Sequence, residues 1–524
     1  MNKERKRKNH NICRILIFSI IITTIVTSCK NRNSEEVELN NTFSNANMLE
    51  INSVMEGFLN TNDDKDFFRV DAIESMILDI QLSPVRGVNH ALKIWKIEGG
   101  TELLKYIDDM RKSSSEKMCN LFVETGTYYI TVLHGDRDEP RANTKDSYQL
   151  RVNGRFWNNE ELESNDNINI ANKQIIGEEI LGYFSPSFNK LNYNKEFPFR
   201  EEDWYYIDIN LEDGNPLLLD IELSGVSEVN STIFFYDSQQ NEIAFSNING
   251  VGKGELLRDI GIIQSGRYYI MITSNFESNT DVPYRLLIIS KNYNQSLEIE
   301  PNNFPEKSNK IIKDEIIGKI FPEGDIDYFM YEGKTEPALY RIEVLPPADL
   351  DLYINIFDKN NTRLFEIDNN GRGEREIMPD AFLLDNFYIK VVSKQGAYNQ
   401  NFSYKLTIST IPISDNHEKE PNDKKRLATV VKSDSIIGYI SKKRDIDFYY
   451  LEYETRVKKN FTIKGIIDSE LRVSITDPLG YIIKTETIKG DDSISINEMI
   501  DNRCYIIVES IIENYEVPYT ISIK

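Results

Sequence analysis

One block of sequence recurs four times, and this repeat constrains the fold more than any other feature of the chain. It reads Glu-x-Glu-x-Asn-Asn/Asp and stands at Glu36, Glu38, Asn40, Asn41; at Glu161, Glu163, Asn165, Asp166; at Glu298, Glu300, Asn302, Asn303; and at Glu418, Glu420, Asn422, Asp423, with starts 125, 137 and 120 residues apart. Downstream, three copies carry an acidic pair and two rings: Asp64-x-Asp66-Phe67-Phe68, Asp325-x-Asp327-Tyr328-Phe329 and Asp445-x-Asp447-Phe448-Tyr449. The second copy has Glu201-x-Asp203-Trp204-Tyr205, displaced by an insertion around Tyr183 to Arg200. Each copy then has a late strand, Gly126-Thr127-Tyr128-Tyr129-Ile130 in the first, and a closing Tyr-x-Leu/Ile at Tyr148, Tyr284, Tyr404 and Tyr519. Four landmarks in one order, four times, mean four copies of one domain-sized unit.

Between landmarks, apolar and polar residues alternate in short runs closed by turn formers, as in Leu350 to Phe357 followed by Asp358-Lys359-Asn360-Asn361. Period-two patterning of this kind predicts half-buried strands, and several of them per repeat predict an antiparallel sandwich. The expected fold is all-β: a tandem array of four antiparallel β-sandwich or jelly-roll domains spanning 35–153, 160–290, 297–410 and 418–524. The adjacent rings should alternate between core and outer face, with packing preferred over ligand contact.

Glu-Pro-Asn-Asp at Glu420 to Asp423, the Asp-x-Asp-aromatic step and the Gly-x-Tyr-Tyr-Ile strand together resemble the bacterial pre-peptidase C-terminal domain. Copies three and four fit best, while copies one and two lack the Pro. Members of that family stand behind secreted peptidases and bind substrate polymers or keep the enzyme soluble, so the resemblance implies a non-catalytic role. In the similar collagen-binding modules of clostridial collagenases, the Glu-x-Glu-x-Asn-Asp linker and a downstream Asp pair hold calcium.

The residues support the same chemistry independently. Carboxylates two apart on an extended segment share a face. If Glu418, Glu420, Asn422 and Asp423 converge with Asp445 and Asp447, they form an all-oxygen cage of the kind Ca²⁺ takes. The corresponding sets are Glu161, Glu163, Asn165, Asp166, Glu201, Asp203; Glu298, Glu300, Asn302, Asn303, Asp325, Asp327; and Glu36, Glu38, Asn40, Asn41, Asp64, Asp66. Copies two and four match the pattern best, since Asn41 and Asn303 remove a charge from the others. The plainer alternative is a solvated acidic linker that caps turns.

The first 28 residues read as an export signal: a basic stretch (Lys3, Arg5, Lys6, Arg7, Lys8, Arg14) before an apolar run, Ile15 to Val26, too short to span a bilayer. Val26-Thr27-Ser28-Cys29 resembles a lipobox, which predicts lipidation of Cys29, a short tether at 29–34 and anchoring to a bacterial membrane. Lys30, where Asp would signal inner-membrane retention, favours the outer membrane. Loss of the signal removes six bases and one acid, taking the formal charge from -23 to -28, a field that disfavours nucleic acid and favours hard cations. Cys119 and Cys504 lie in different repeats and are expected as buried thiols.

No catalytic residue stands out. His90, His134 and His417 do not recur between copies, and G-x-S-x-G, H-E-x-x-H and phosphate-loop motifs are missing. The expectation is a non-catalytic binding lipoprotein whose modules engage polysaccharide, matrix protein or an envelope partner, with avidity from four linked sites. A structural spacer is the alternative, and a peptidase accessory protein or hydrolase is less favoured.

Overall fold

The computed structural model describes residues 34–108, 112–135, 140–188, 201–211, 214–275 and 277–524. Cys29, the signal segment and most of the insertion in the second repeat lie outside the described residues.

The short alternating runs become strands, and the strands assemble into four sandwiches of one topology. In the fourth, one sheet runs Thr429–Val430, Ile446–Glu452, Arg503–Ile512, Glu470–Thr476, Ile482–Lys489, and the facing sheet runs Ser435–Gly438, Tyr519–Ile523, Val457–Lys464, Ser493–Ile500. All neighbours are antiparallel except the short opening strand, which lies parallel to Ile446–Glu452. The second and third modules repeat this order strand for strand. Leu352–Phe357 forms a strand as its alternation predicts, and Asn361 turns its hairpin at φ 61°.

Each sandwich has its own apolar core. The second ring of each aromatic pair, Phe68, Tyr205, Phe329 and Tyr449, is fully buried. Its predecessor faces outward, as period-two geometry requires. In the first module Phe43 covers that outer face, meeting Phe67, Trp95 and Tyr129 edge-on at 4.8, 5.7 and 5.2 Å. Cys119 and Cys504 are buried free thiols in separate modules. Among the described residues no helix is long and apolar enough to cross a membrane.

The modules are joined by β-structure. The Glu-x-Glu segment is wedged between two sandwiches, bridging in parallel to the first strand of its own facing sheet and to the edge of the module before it. The bridged pairs are Glu160↔Leu181 and Leu121↔Glu163, Leu297↔Ile317 and Ile260↔Glu300, and His417↔Ile437 and Ala381↔Glu420. The insertion of the second repeat adds a further link. Its strand Ser187–Phe188 pairs with Thr101–Ile107 and so extends a sheet of the first module.

Since each module buries a separate core, Ile354→Ala is expected to cost the third module about 2–5 kcal/mol. Calorimetry should show one transition moving down while the others keep their temperatures.

Candidate functional site

The two acidic motifs meet at the entrance of every module. One oxygen from each of three carboxylates lies within 4.8 Å of the others in Glu36, Glu38, Asp66; in Glu163, Asp166, Glu201; in Glu298, Glu300, Asp327; and in Glu418, Glu420, Asp447. The asparagines of the linker motif, Asn40, Asn165, Asn302 and Asn422, are completely buried beside them.

The local structure explains the convergence. The first Glu of the linker accepts a main-chain N–H from the strand next to it: Phe58 to Glu36 at 2.5 Å, Tyr183 to Glu161 at 2.7 Å, and Lys319 and Tyr439 to Glu298 and Glu418. The second Glu accepts the N–H two residues on, Asn302 to Glu300 at 3.0 Å and Asn422 to Glu420 at 2.8 Å. The second Asp of the downstream pair is held by the tyrosine of the closing strand. Tyr148, Tyr284, Tyr404 and Tyr519 donate to Asp66, Asp203, Asp327 and Asp447 at 2.6, 2.7, 2.6 and 2.5 Å. In modules two and four a second hydroxyl joins, Tyr205 to Glu161 at 2.9 Å and Tyr449 to Glu418 at 2.6 Å.

Two parts of this arrangement were not picked out as site residues from the motifs. The closing tyrosines stood only as strand markers, because a ring in a strand reads first as packing. Gly57, Gly182, Gly318 and Gly438 also recur. A Cβ at any of them would overlap the tyrosine hydroxyl or ring, and at Gly57, Gly182 and Gly318 the first Glu as well. Glycine lets the backbone approach the nest that closely.

Not every residue of the expected cages joins them. Asp64, Asp325 and Asp445 accept main-chain N–H groups four residues earlier, from Asn60, Phe321 and Ser441 at 2.6, 2.8 and 2.6 Å, and so shape the turn first. Asn41 is exposed and donates to Asp64 at 3.1 Å, whereas Glu38, though exposed and accepting from Asn60, stays within the converging set of the first module. Asp423 pairs with Lys442. Asn303 lines a cavity with Glu300 and Asp325. In the second module the converging set is shifted from Glu161 and Asp203 toward Glu163, Asp166 and Glu201, which gather on Lys105 of the first module.

The electrostatics are severe. Burial first, and Glu36 next, push Asp66 up to about 9. Burial, then Glu163 and Asp380 respectively, push Glu161 and Glu420 up to about 8, and burial alone takes Asp325 to about 7. Asp203, Asp327, Asp447, Glu298, Glu300 and Glu418 are driven well above the ordinary range, burial leading and neighbouring carboxylates following. Several oxygens there have no hydrogen-bond partner: Asn40 Oδ1 and Asp66 Oδ1; Glu163 Oε1 and Asp203 Oδ1; Glu298 Oε2 and Glu300 Oε1; Glu420 Oε1, Asn422 Oδ1 and Asp447 Oδ1. Orphaned buried oxygens of this kind are costly, and a hard cation with oxygen ligands would satisfy them.

No family model matches the chain. Among curated proteins it is similar to Collagenase ColT of Clostridium tetani, 25% identical over 239 residues that make up 45% of this chain and 22% of that protein. The chain therefore covers under a quarter of that relative's length. Among solved structures it is similar to the pre-peptidase C-terminal domain of a collagenase from Bacillus anthracis, with 17% identity, a TM-score of 0.16, and coverage of 20% of this chain and 93% of that one. It is also similar to the CUB1-EGF-CUB2 domains of rat MASP-1, with 8% identity, a TM-score of 0.14, and coverage of 41% and 99%.

Two outcomes follow from the nest. Gly438→Ala should destabilise the fourth module by about 1–3 kcal/mol through forced overlap with Tyr519 and Tyr449, measured by urea unfolding. The second concerns pH. These carboxyls hold protons more tightly folded than unfolded, so their stabilisation is complete below about pH 4 and is lost as pH rises toward about 8. In chelator, the chain should melt lower at pH 8 than at pH 5.

Proposed function

We propose that this chain is a non-catalytic, lipid-anchored binding protein of a bacterial envelope, stiffened by calcium at its module entrances and presenting a ligand face on its second module. The anchor is Cys29, and the outer membrane is its favoured site.

The observation that carries the binding reading is a row of rings on the outer face of the second module. Trp204, Tyr236, Phe234 and Phe245 follow one another with centroids 5.5, 6.3 and 6.0 Å apart and planes within 26°. Phe245 is 58% exposed. A cavity of about 290 Å³ beside the row is lined by Thr232, Glu242, Asn247, Ser274 and Asn275 as well as by the last two rings. Stacked rings flanked by hydroxyl and amide groups suit a ligand that alternates apolar and hydrogen-bonding surface, as polysaccharides and extended matrix proteins do. The curated relative is a collagenase, so a collagen-like matrix protein is the first protein ligand to try. The corresponding face of the third module carries Arg363, Glu366, Lys390 and Lys394 among its rings. Binding is therefore assigned to one module rather than to all four.

A spacer role is the second reading, favoured by the β-bridges at every junction, which stiffen a chain that would otherwise be a string of beads. The two roles are compatible, since a stiff stalk can carry a binding face away from the membrane.

Calcium is assigned to the first, third and fourth entrances. Glu418, Glu420, Asp447 and the oxygen of Asn422 would hold it in the fourth, with equivalents in the others. Glycan and matrix-protein arrays probed with the full chain should give signal at micromolar protein, and Phe234→Ala with Phe245→Ala should reduce it at least tenfold. A blank array would remove the binding reading. For the metal, calcium should raise the melting transitions at pH 7.5 and chelator should reverse the shift, whereas coincident melts would end that assignment.

A further inference from the structure

At the first junction the place of a metal is already taken. Lys105, on strand Thr101–Ile107 of the first module, points its ammonium into the acidic entrance of the second. It lies 2.7 Å from Glu163 Oε2, 2.7 Å from Asp166 Oδ1 and 4.0 Å from Glu201 Oε1, with its side chain 2% exposed. Burial opposes the charge, but Asp166, Glu163 and Glu201 outweigh it and hold the ammonium protonated. The ligand geometry of this module has also moved. Elsewhere the converging oxygens come from both linker glutamates and the second Asp, but here they come from Glu163, Asp166 and Glu201, the three that surround Lys105.

The next junction supplies the contrast. In the outer hairpins Lys105 pairs with Ile94, and the corresponding pair in the second module is Ala244 with Phe235. Where the lysine stem runs at the first junction, the second has a cavity of about 430 Å³ lined by Ala244, Phe245, Phe304, Glu300, Asn303 and Asp325. Its walls include Glu300 of the third entrance and the neighbouring Asp325, with Arg258 and Lys307 also lining it. The same position is thus plugged by a cationic side chain at one junction and open to solvent at the next.

We infer that Lys105 is a built-in cation that replaces the divalent metal of the second module and ties the first two modules together permanently, whereas the third entrance stays open to an exchangeable cation. The buried ammonium, against Glu163 Oε2, Asp166 Oδ1 and Glu201 Oε1, supplies the positive charge that a metal would bring, at a fixed cost of desolvation that these carboxylates offset, while Glu163 Oε1 and Asp203 Oδ1 keep no hydrogen-bond partner. Unlike calcium, it cannot be removed by a chelator. The inference rests on the calcium reading for the other entrances, so its test separates the two.

Calcium ions bound per full chain are counted by equilibrium dialysis. Lys105→Ala, which opens the gap that Ala244 leaves, should bind one ion more than the wild type, and Ala244→Lys should bind one fewer. Tryptophan fluorescence adds a local readout, because Trp95, Trp157 and Trp204 all lie within or between the first two modules. In a Trp95→Phe background, which silences the first module and its own calcium site, unfolding of the second module reported by Trp204 should be indifferent to chelator, and adding Lys105→Ala should make it calcium-dependent. Unchanged ion counts in both variants would overturn the inference. If Lys105→Ala does not fold, Ala244→Lys decides alone, and an unchanged count there refutes. If the wild type binds no calcium at all, the metal reading of the other modules falls. The role of Lys105 is then judged in chelator: a lower fluorescence melting midpoint for Lys105→Ala supports the built-in cation, and an unchanged one overturns it.

Discussion

Burying several carboxylates together is the constraint on which the rest of this structure depends. The second, third and fourth modules each open by driving two glutamates, an aspartate and an asparagine into the seam between one sandwich and the next, where water cannot screen them, and the first gathers the same set with Glu38 left exposed. The surrounding fold is arranged to tolerate this. Main-chain N–H groups serve the glutamates, a closing tyrosine serves the aspartate, and a glycine lets the opposing strand come close enough for both. The positive charge still lacking must come from protons, a metal or a lysine.

The three junctions answer that demand differently, although their backbones are alike. At the first, Asn120 of the leading module meets the linker as a neutral amide and Lys105 brings the charge. At the second, Asp259 occupies the equivalent bulge but is itself neutralised by Lys291 and Lys319 at 2.9 and 2.6 Å. Two lysines hold its carboxyl below the usual range despite burial. At the third, Asp380 has no lysine and shares the buried space of Glu418 and Ser441, and burial pushes it up to about 7. The bulge carboxyl of the last junction thus lacks the lysine pair that Asp259 has, and the ammonium of Lys442 pairs with Asp423 instead.

Much of this organisation was legible in the linear order of residues. Fourfold recurrence, period-two alternation and turn chemistry are local or translational signals, so module number, the all-β class and the alternation at Phe67-Phe68 or Phe448-Tyr449 followed directly. The acids were also legible, because the Glu-x-Glu and Asp-x-Asp spacings put carboxylates on one face. Tyr519 and Gly438 were not read as partners of those acids. Their role depends on two strands far apart in sequence meeting beside a third, and a tyrosine or glycine in a strand has a commoner explanation. The separate duty of Asp64, Asp325 and Asp445 in their turns was hidden for the same reason: spacing cannot tell a carboxylate that faces a main-chain N–H from one that faces a cage.

The sequence by itself determined that four equivalent sandwiches would form and that each would carry an acid-rich entrance, since both properties are written into every copy. Only the tertiary structure decided which entrances share a chemistry. The second copy matches the acidic pattern as well as any, yet Lys105, 61 residues before Asp166, enters it from the neighbouring module. No motif records that contact. It exists because the linker is wedged between two sheets, and the charge of one module is then completed or left open by whichever side chain the preceding module places across the seam.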